Sequence, residues 1–176
     1  MSLYVVYVPE TGHVVGAVDA VGVPRPEDPA ALVGAALPLR VPTGPGELAS
    51  LPLPARDLAV HAPDAQPGVF ADPLAYGVEQ VDDADPKPAL TRLREWGEEP
   101  TFTPDSLVVT VPVADASRPT PVLVLVTGGQ DVRVLHGEIP AGQDAVELAV
   151  TVSAGNYGVL ALVAGWAGAL TTVRKP

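Results

Sequence analysis

Between Ser106 and Val173 short apolar segments follow one another almost without a break, and this stretch leaves the chain few architectures to adopt. Pro121-Val-Leu-Val-Leu-Val126 offers no polar position to solvent and reads as a strand buried on both faces. Leu107, Val109, Val111 and Val113 share one face of the segment before it. Further on, Val132 and Val134 alternate with Arg133, and Val146, Leu148, Val150 and Val152 alternate with Glu147, Ala149 and Thr151. A period of two sends successive side chains to opposite faces, which marks half-buried antiparallel strands. Six strands are expected, at 106–113, 121–127, 131–138, 145–152, 157–164 and 167–173, joined by turns such as Thr127-Gly-Gly-Gln-Asp131. They form the core of a β-sandwich over 101–176.

Composition agrees with sheet. The chain has 176 residues, enough for one full domain or two small ones; 47% are hydrophobic but only 5% aromatic, so the core is built from Val, Leu and Ala. Twenty-one prolines and 17 glycines call for many turns and few long helices. Cysteine is absent, which removes disulfides, thiolate nucleophiles and cysteine-based zinc sites. The net charge is −11, concentrated in residues 1–100, where 15 acids face 6 bases. That sign repels phosphate backbones, so no nucleic-acid partner is expected. No apolar run reaches the roughly 20 residues that span a bilayer, and the first residues lack the pattern of a secretory signal. A cytoplasmic protein with no membrane partner is the expectation.

Residues 1–100 read as a separate proline-rich, acidic β region. Leu3–Val8 and His13–Val18 flank Pro9-Glu-Thr-Gly12, where Pro presets φ and Gly supplies a positive φ, so a β-hairpin is expected. Its first strand is apolar on both faces, with Tyr4, Val6 and Val8 on one and Leu3, Val5 and Tyr7 on the other. Such a strand is sandwiched inside its own chain or meets another chain, which makes Tyr4, Val6 and Val8 candidate interface residues. A charge at Val6 would break such an interface. Val8-Pro-Glu-Thr-Gly12 also resembles a sortase sorting signal, but it sits at the N-terminal end without the following apolar segment and basic tail, and a turn is the reading kept.

Fifteen of the 21 prolines fall between Val21 and Pro104, so no regular sheet is expected there. Asp28-Pro29 opens a short helix, Pro38–Pro42 and Leu51–Pro54 are extended edge segments, and Asp57–His61 is a strand. Val69–Val81 is expected as a strand broken at Asp72-Pro73. Leu90, Leu93 and Trp96 recur at a three-residue spacing before Gly97, which predicts a short amphipathic helix over Ala89–Trp96.

Ala154-Gly-Asn-Tyr-Gly-Val159, between two strong strands, resembles the E–F corner of immunoglobulin-like sandwiches, where a Gly precedes a Tyr by two positions. The resemblance implies an all-β, immunoglobulin-like antiparallel sandwich. In it Tyr157 is the structural corner residue, its hydroxyl bonded to an upstream backbone group, and Val159 holds the place of the second disulfide cysteine. The chain departs from the pattern in having no cysteine pair and in placing Trp166 after the corner. The likeness covers about twenty residues and speaks to architecture, not activity.

No residue pattern carries catalysis. His13, His61 and His136 are each alone, without HxH, HxxxH or HExxH spacing, and there is no G-x-S-x-G. Ser106 and Ser153 sit at strand ends, where a hydroxyl completes a turn. Asp82, Asp83 and Asp85, and likewise Glu98 and Glu99, are carboxylates of proline-flanked loops, and the first group lacks the Gly and distal Glu of a calcium loop. Trp96, Trp166, Tyr76 and Phe102 read as core anchors more than as sugar-stacking platforms. No catalytic residue, cofactor or metal is assigned.

The expectation for function is a non-enzymatic structural or adaptor protein, acting through contacts with other protein subunits, itself included, in a larger assembly. Components of exported or phage-tail-like particles have this character. The alternative is a carbohydrate- or small-ligand-binding module using loops at one end of the sandwich. A second alternative is a hydrolase whose site brings His61 or His136 together with a serine and a carboxylate.

Overall fold

A computed structural model describes residues 2–22, 24–80, 85–129 and 131–176. The chain is mostly β, in several small antiparallel sheets. In order the elements are β1 (Ser2–Tyr7), β2 (Val14–Ala20), α1 (Ala30–Val33), β3 (Ala36–Gly44), β4 (Glu47–Pro54), β5 (Ala59–His61), β6 (Tyr76–Gly77) and β7 (Thr91–Arg92). Then come β8 (Thr101–Phe102), β9 (Ser106–Thr110), β10 (Thr120–Thr127), β11 (Val132–Ile139), β12 (Ala145–Ala149), β13 (Gly155–Val163) and β14 (Ala169–Lys175). Two compact units emerge. One comprises Met1–Leu37, Leu53–Glu95 and Gly165–Ala167, the other Pro38–Pro52, Trp96–Ala164 and Gly168–Pro176.

In the first unit β1 is the middle strand of the order β2-β1-β5. Leu3, Val5 and Tyr7 pack with Val14, Val69, Ala75, Tyr76, Val78 and Leu90. The other face is buried too, with Tyr4, Val6 and Val8 exposed by only 5%, 3% and 3%. The helix forms as its sequence suggests, the Asp28 carboxylate accepting from Ala30 N–H at 2.8 Å, but it is a single turn.

Two expectations fail in this unit. Ala89–Trp96 is not a helix. β7 pairs with β6, Leu93 N–H donates to the Ala75 carbonyl at 2.9 Å, and Ala167 N–H donates to the Arg94 carbonyl at 2.7 Å. Main-chain groups committed to distant partners cannot close i→i+4 bonds, and tertiary pairing here outweighs the three-residue spacing of Leu90, Leu93 and Trp96. Val81 lies outside the described residues, and over 69–80 the expected broken strand does not form. Pro67–Phe70 and Pro73–Ala75 are 3-10 turns, each with proline in its first turn, and the strand there is Tyr76–Gly77.

The second unit contains all six strands expected after residue 105, with shifts at their ends. Four form the order β11-β10-β13-β14, and β12-β9-β8 form another sheet. Directly opposed residues in antiparallel strands share a face. The register therefore puts Leu123, Leu125, Thr127, Gly158, Leu160 and Leu162 on one face, and Val122, Val124, Val126, Val159, Ala161 and Val163 on the other. Both faces are buried at β10 and β13.

The first face is covered by residues of the β3–β4 hairpin. A Cβ on Gly158 would come 2.6 Å from Val41 Cγ1 and 3.1 Å from Ala49 Cβ, so glycine lets the two layers meet. Asn156 Nδ2 donates to the Thr43 carbonyl at 3.0 Å, and the Thr172 hydroxyl donates to the Pro42 carbonyl. Along β4 the apolar Ala49, Leu51 and Leu53 are buried while Ser50 and Pro52 face outward. A two-stranded ribbon tolerates proline because each strand has a free edge. The second face meets the β12-β9-β8 sheet: Phe102 packs edge-on to Tyr157 at 5.4 Å, and Lys175 Nζ donates to the Thr103 carbonyl.

Candidate functional site

The turn from Val8 to His13 is closed by Val8 N–H to the His13 carbonyl at 2.9 Å and Gly12 N–H to the Val8 carbonyl at 2.7 Å. His13 is fully buried. Its Nε2 lies 2.7 Å from the Trp166 carbonyl oxygen, which can only accept, so Nε2 carries the proton. Nδ1 then accepts from the Thr11 hydroxyl at 2.9 Å. Burial pushes the imidazole pKa down to about 4 against the opposing pull of its hydrogen bonds, so the ring is neutral at pH 7. With both nitrogens engaged and no exposure, His13 is a structural strut. Thr11, inside the turn that resembles a sorting signal, is 7% exposed and bonded to that ring.

His61, also buried, donates from Nε2 to the Lys87 carbonyl at 2.9 Å, and its buried Nδ1 meets no hydrogen-bond partner among the described residues. Burial lowers its pKa, the positive charge of Arg25 adds to this, and the Lys87 carbonyl opposes it. Its polar partner is a main-chain carbonyl, not a serine or carboxylate. His136 lies exposed on β11. Among the described residues no three His, Cys, Asp or Glu side chains gather as a metal site; Asp82 and Asp83 lie outside them. Glu99 Oε1 accepts from the Thr171 hydroxyl at 3.3 Å, while Glu98 is exposed. No helix among the described residues is long and apolar enough to cross a membrane.

The aromatic candidates are placed as anchors: Tyr76, Phe102 and Trp166 are 6%, 9% and 8% exposed, and Trp96 is half-buried. Tyr157 is different. It is the third residue of β13, on the face toward the β12-β9-β8 sheet, and its hydroxyl donates to the Ser153 carbonyl at 2.9 Å. Gly128 lies so close to its ring that a Cβ there would overlap it.

Beside this ring a cleft of about 380 Å³ opens at one end of the unit, where the β10–β11 turn meets the β12–β13 connection. Its lining includes Val126, Tyr157, Asp131, Arg133, Thr151 and Ser153. From sequence Tyr157 and Ser153 carry structural roles only, and Asp131 and Arg133 belong to a turn and an alternating strand with no site assigned. The available signal was their two-residue spacing ahead of an alternating strand, which sends both side chains to one face.

A second surface feature is the edge of the larger sheet. β11 is bonded to β10 over Val132–Ile139, and among the described residues no strand pairs with its other side. Val134, in mid-strand, is 51% exposed, whereas Tyr4, Val6 and Val8 are buried. No protein-family model, curated protein or solved structure matches this chain.

Proposed function

We propose that the protein is a non-enzymatic structural or adaptor subunit that joins a larger assembly by protein–protein contact along β11. The observation that carries this reading is the open eight-residue edge with Val134 half exposed at its centre. An unpaired edge presents a row of main-chain donors and acceptors, and an extended segment of another subunit or of a second copy satisfies them by strand addition. Tyr4, Val6 and Val8 being covered, the contact moves from the hairpin to this edge.

The reading includes an immunoglobulin-like sandwich for β8–β14. Strands one, two and five of this series pair in one sheet, and strands three, four, six and seven in the other, an order that supports it. The Tyr157 hydroxyl bond to Ser153, four residues upstream, supports it as well.

The test is size fractionation of a native lysate with cross-linking, comparing the wild type with Val134→Lys. Co-migration with a large particle, lost in the variant while its circular dichroism is unchanged, is the expected result. A wild-type chain that migrates as a free monomer would overturn the proposal.

A further inference from the structure

The cleft at the end of the second unit has features that strand addition does not use. Its volume, about 380 Å³, falls in the range of roughly 300–1,000 Å³ typical of small-molecule sites. Its aromatic wall is held in place before any ligand arrives. The Tyr157 ring is packed by Phe102 at 5.4 Å and by the Gly128 backbone, and its hydroxyl is tied to Ser153. Val126, itself buried, lies among the lining residues. A wall fixed in this way loses no rotamer freedom on binding.

Facing that wall are Asp131 and Arg133, neither of whose side chains makes a hydrogen bond or ion pair among the described residues. A carboxylate only accepts hydrogen bonds and a guanidinium only donates them. Their charges cancel, so an anion drawn to Arg133 meets Asp131, and the net charge of −11 disfavours it further. A cation meets the opposite conflict, and an apolar ligand strands both groups without partners.

A hydroxyl group, in contrast, donates and accepts at once. Neighbouring hydroxyls on one ring satisfy the carboxylate and the guanidinium together, Thr151 and Ser153 supply further hydroxyls, and the C–H face of such a ring lies against an aromatic wall. We propose that this cleft binds a neutral saccharide, held by Asp131 and Arg133 against Tyr157. The site shares β11 with the edge contact through Arg133, but it uses that residue's side chain and not the strand's main-chain edge, so either can fail without the other.

The experiment is titration of the ¹⁵N-labelled full chain with maltose, cellobiose and N,N′-diacetylchitobiose, following amide shifts, with sialic acid and glycylglycine as charged controls. Saturable shifts centred on Gly128, Gly129, Thr151 and Ser153 are expected with at least one neutral sugar. Asp131→Ala and Arg133→Ala, both exposed positions, are expected to weaken that binding about tenfold or more while leaving distant amide shifts in place. No saturable shift with any of the three sugars at millimolar concentration would overturn the proposal. So would a response to sialic acid or glycylglycine alone, or binding undiminished in both variants.

Discussion

His13 donates a hydrogen bond from Nε2 to the carbonyl oxygen of Trp166, 153 residues further along the chain and 2.7 Å away. The Gly165–Ala167 segment is held in the first unit by this bond and by the main-chain bonds to Arg94, whose guanidinium lies 5.6 Å from the centre of the Trp166 ring. A second proton on Nδ1 would force the Thr11 hydroxyl to turn from donor to acceptor and would place a charge in a site closed to water.

This makes stability depend on pH in a defined direction. The pKa of His13 falls from 6.5 to about 4 on folding, so between these values the unfolded chain binds the extra proton. Nothing is lost above pH 6.5; stability falls as pH drops below it, and the loss levels off below pH 4. The His13 contribution is about 2 kcal/mol at pH 5 relative to pH 7. His61, also shifted down, acts in the same direction. Urea unfolding at pH 7 and pH 5 should show His13→Gln less stable at pH 7 and its pH dependence flatter than that of the wild type. An identical slope in the two proteins would show that His13 does not titrate this way.

Gly12 sits at φ 79°, and a Cβ there would lie 2.9 Å from the Val78 carbonyl oxygen. Gly12→Ala combines a left-handed backbone with a clash against main chain, and should cost about 1–3 kcal/mol in the unfolding free energy measured with urea. A neutral substitution would mean that the Val8–His13 turn is rebuilt.

The bond from the Tyr157 hydroxyl to the Ser153 carbonyl is removed in Tyr157→Phe, while the ring remains packed on Phe102. The expected loss is about 1 kcal/mol in thermal or urea unfolding. A loss as large as that of Tyr157→Ala would assign the bond far more weight than a partly exposed hydrogen bond carries.

Val6 lies on a strand buried on both faces and is 3% exposed. Val6→Glu places an unpaired carboxylate there and should destabilise the chain by upwards of about 3 kcal/mol. Circular dichroism and thermal unfolding of this variant check that. A fully stable V6E protein with altered association would return the interface to the hairpin.

The alternation at Val132/Arg133/Val134 and at Val146–Val152, and the unbroken run at Pro121–Val126, made the C-terminal strands legible. Whether one or both faces are buried is written into a period of two, residue by residue. The Pro9–Gly12 turn was legible for the same reason, since positive φ at Gly12 is a property of that residue. The sequence singled out Tyr157, two positions after Gly155, and its hydroxyl does bond back to an upstream carbonyl, that of Ser153.

Other features depend on what a segment meets, and its own residues do not encode that. Leu90, Leu93 and Trp96 have helical spacing, yet their backbone is drawn out to pair with Tyr76–Gly77 and Gly165–Ala167, segments far away in sequence. The β3–β4 layer over Gly158 and the cleft that joins Asp131 and Arg133 to Tyr157 are likewise products of tertiary structure. Local periodicity reports which face of a segment avoids water. The partner of that face is chosen by the whole chain, because main-chain donors and acceptors with no local mate must be satisfied wherever the fold brings one.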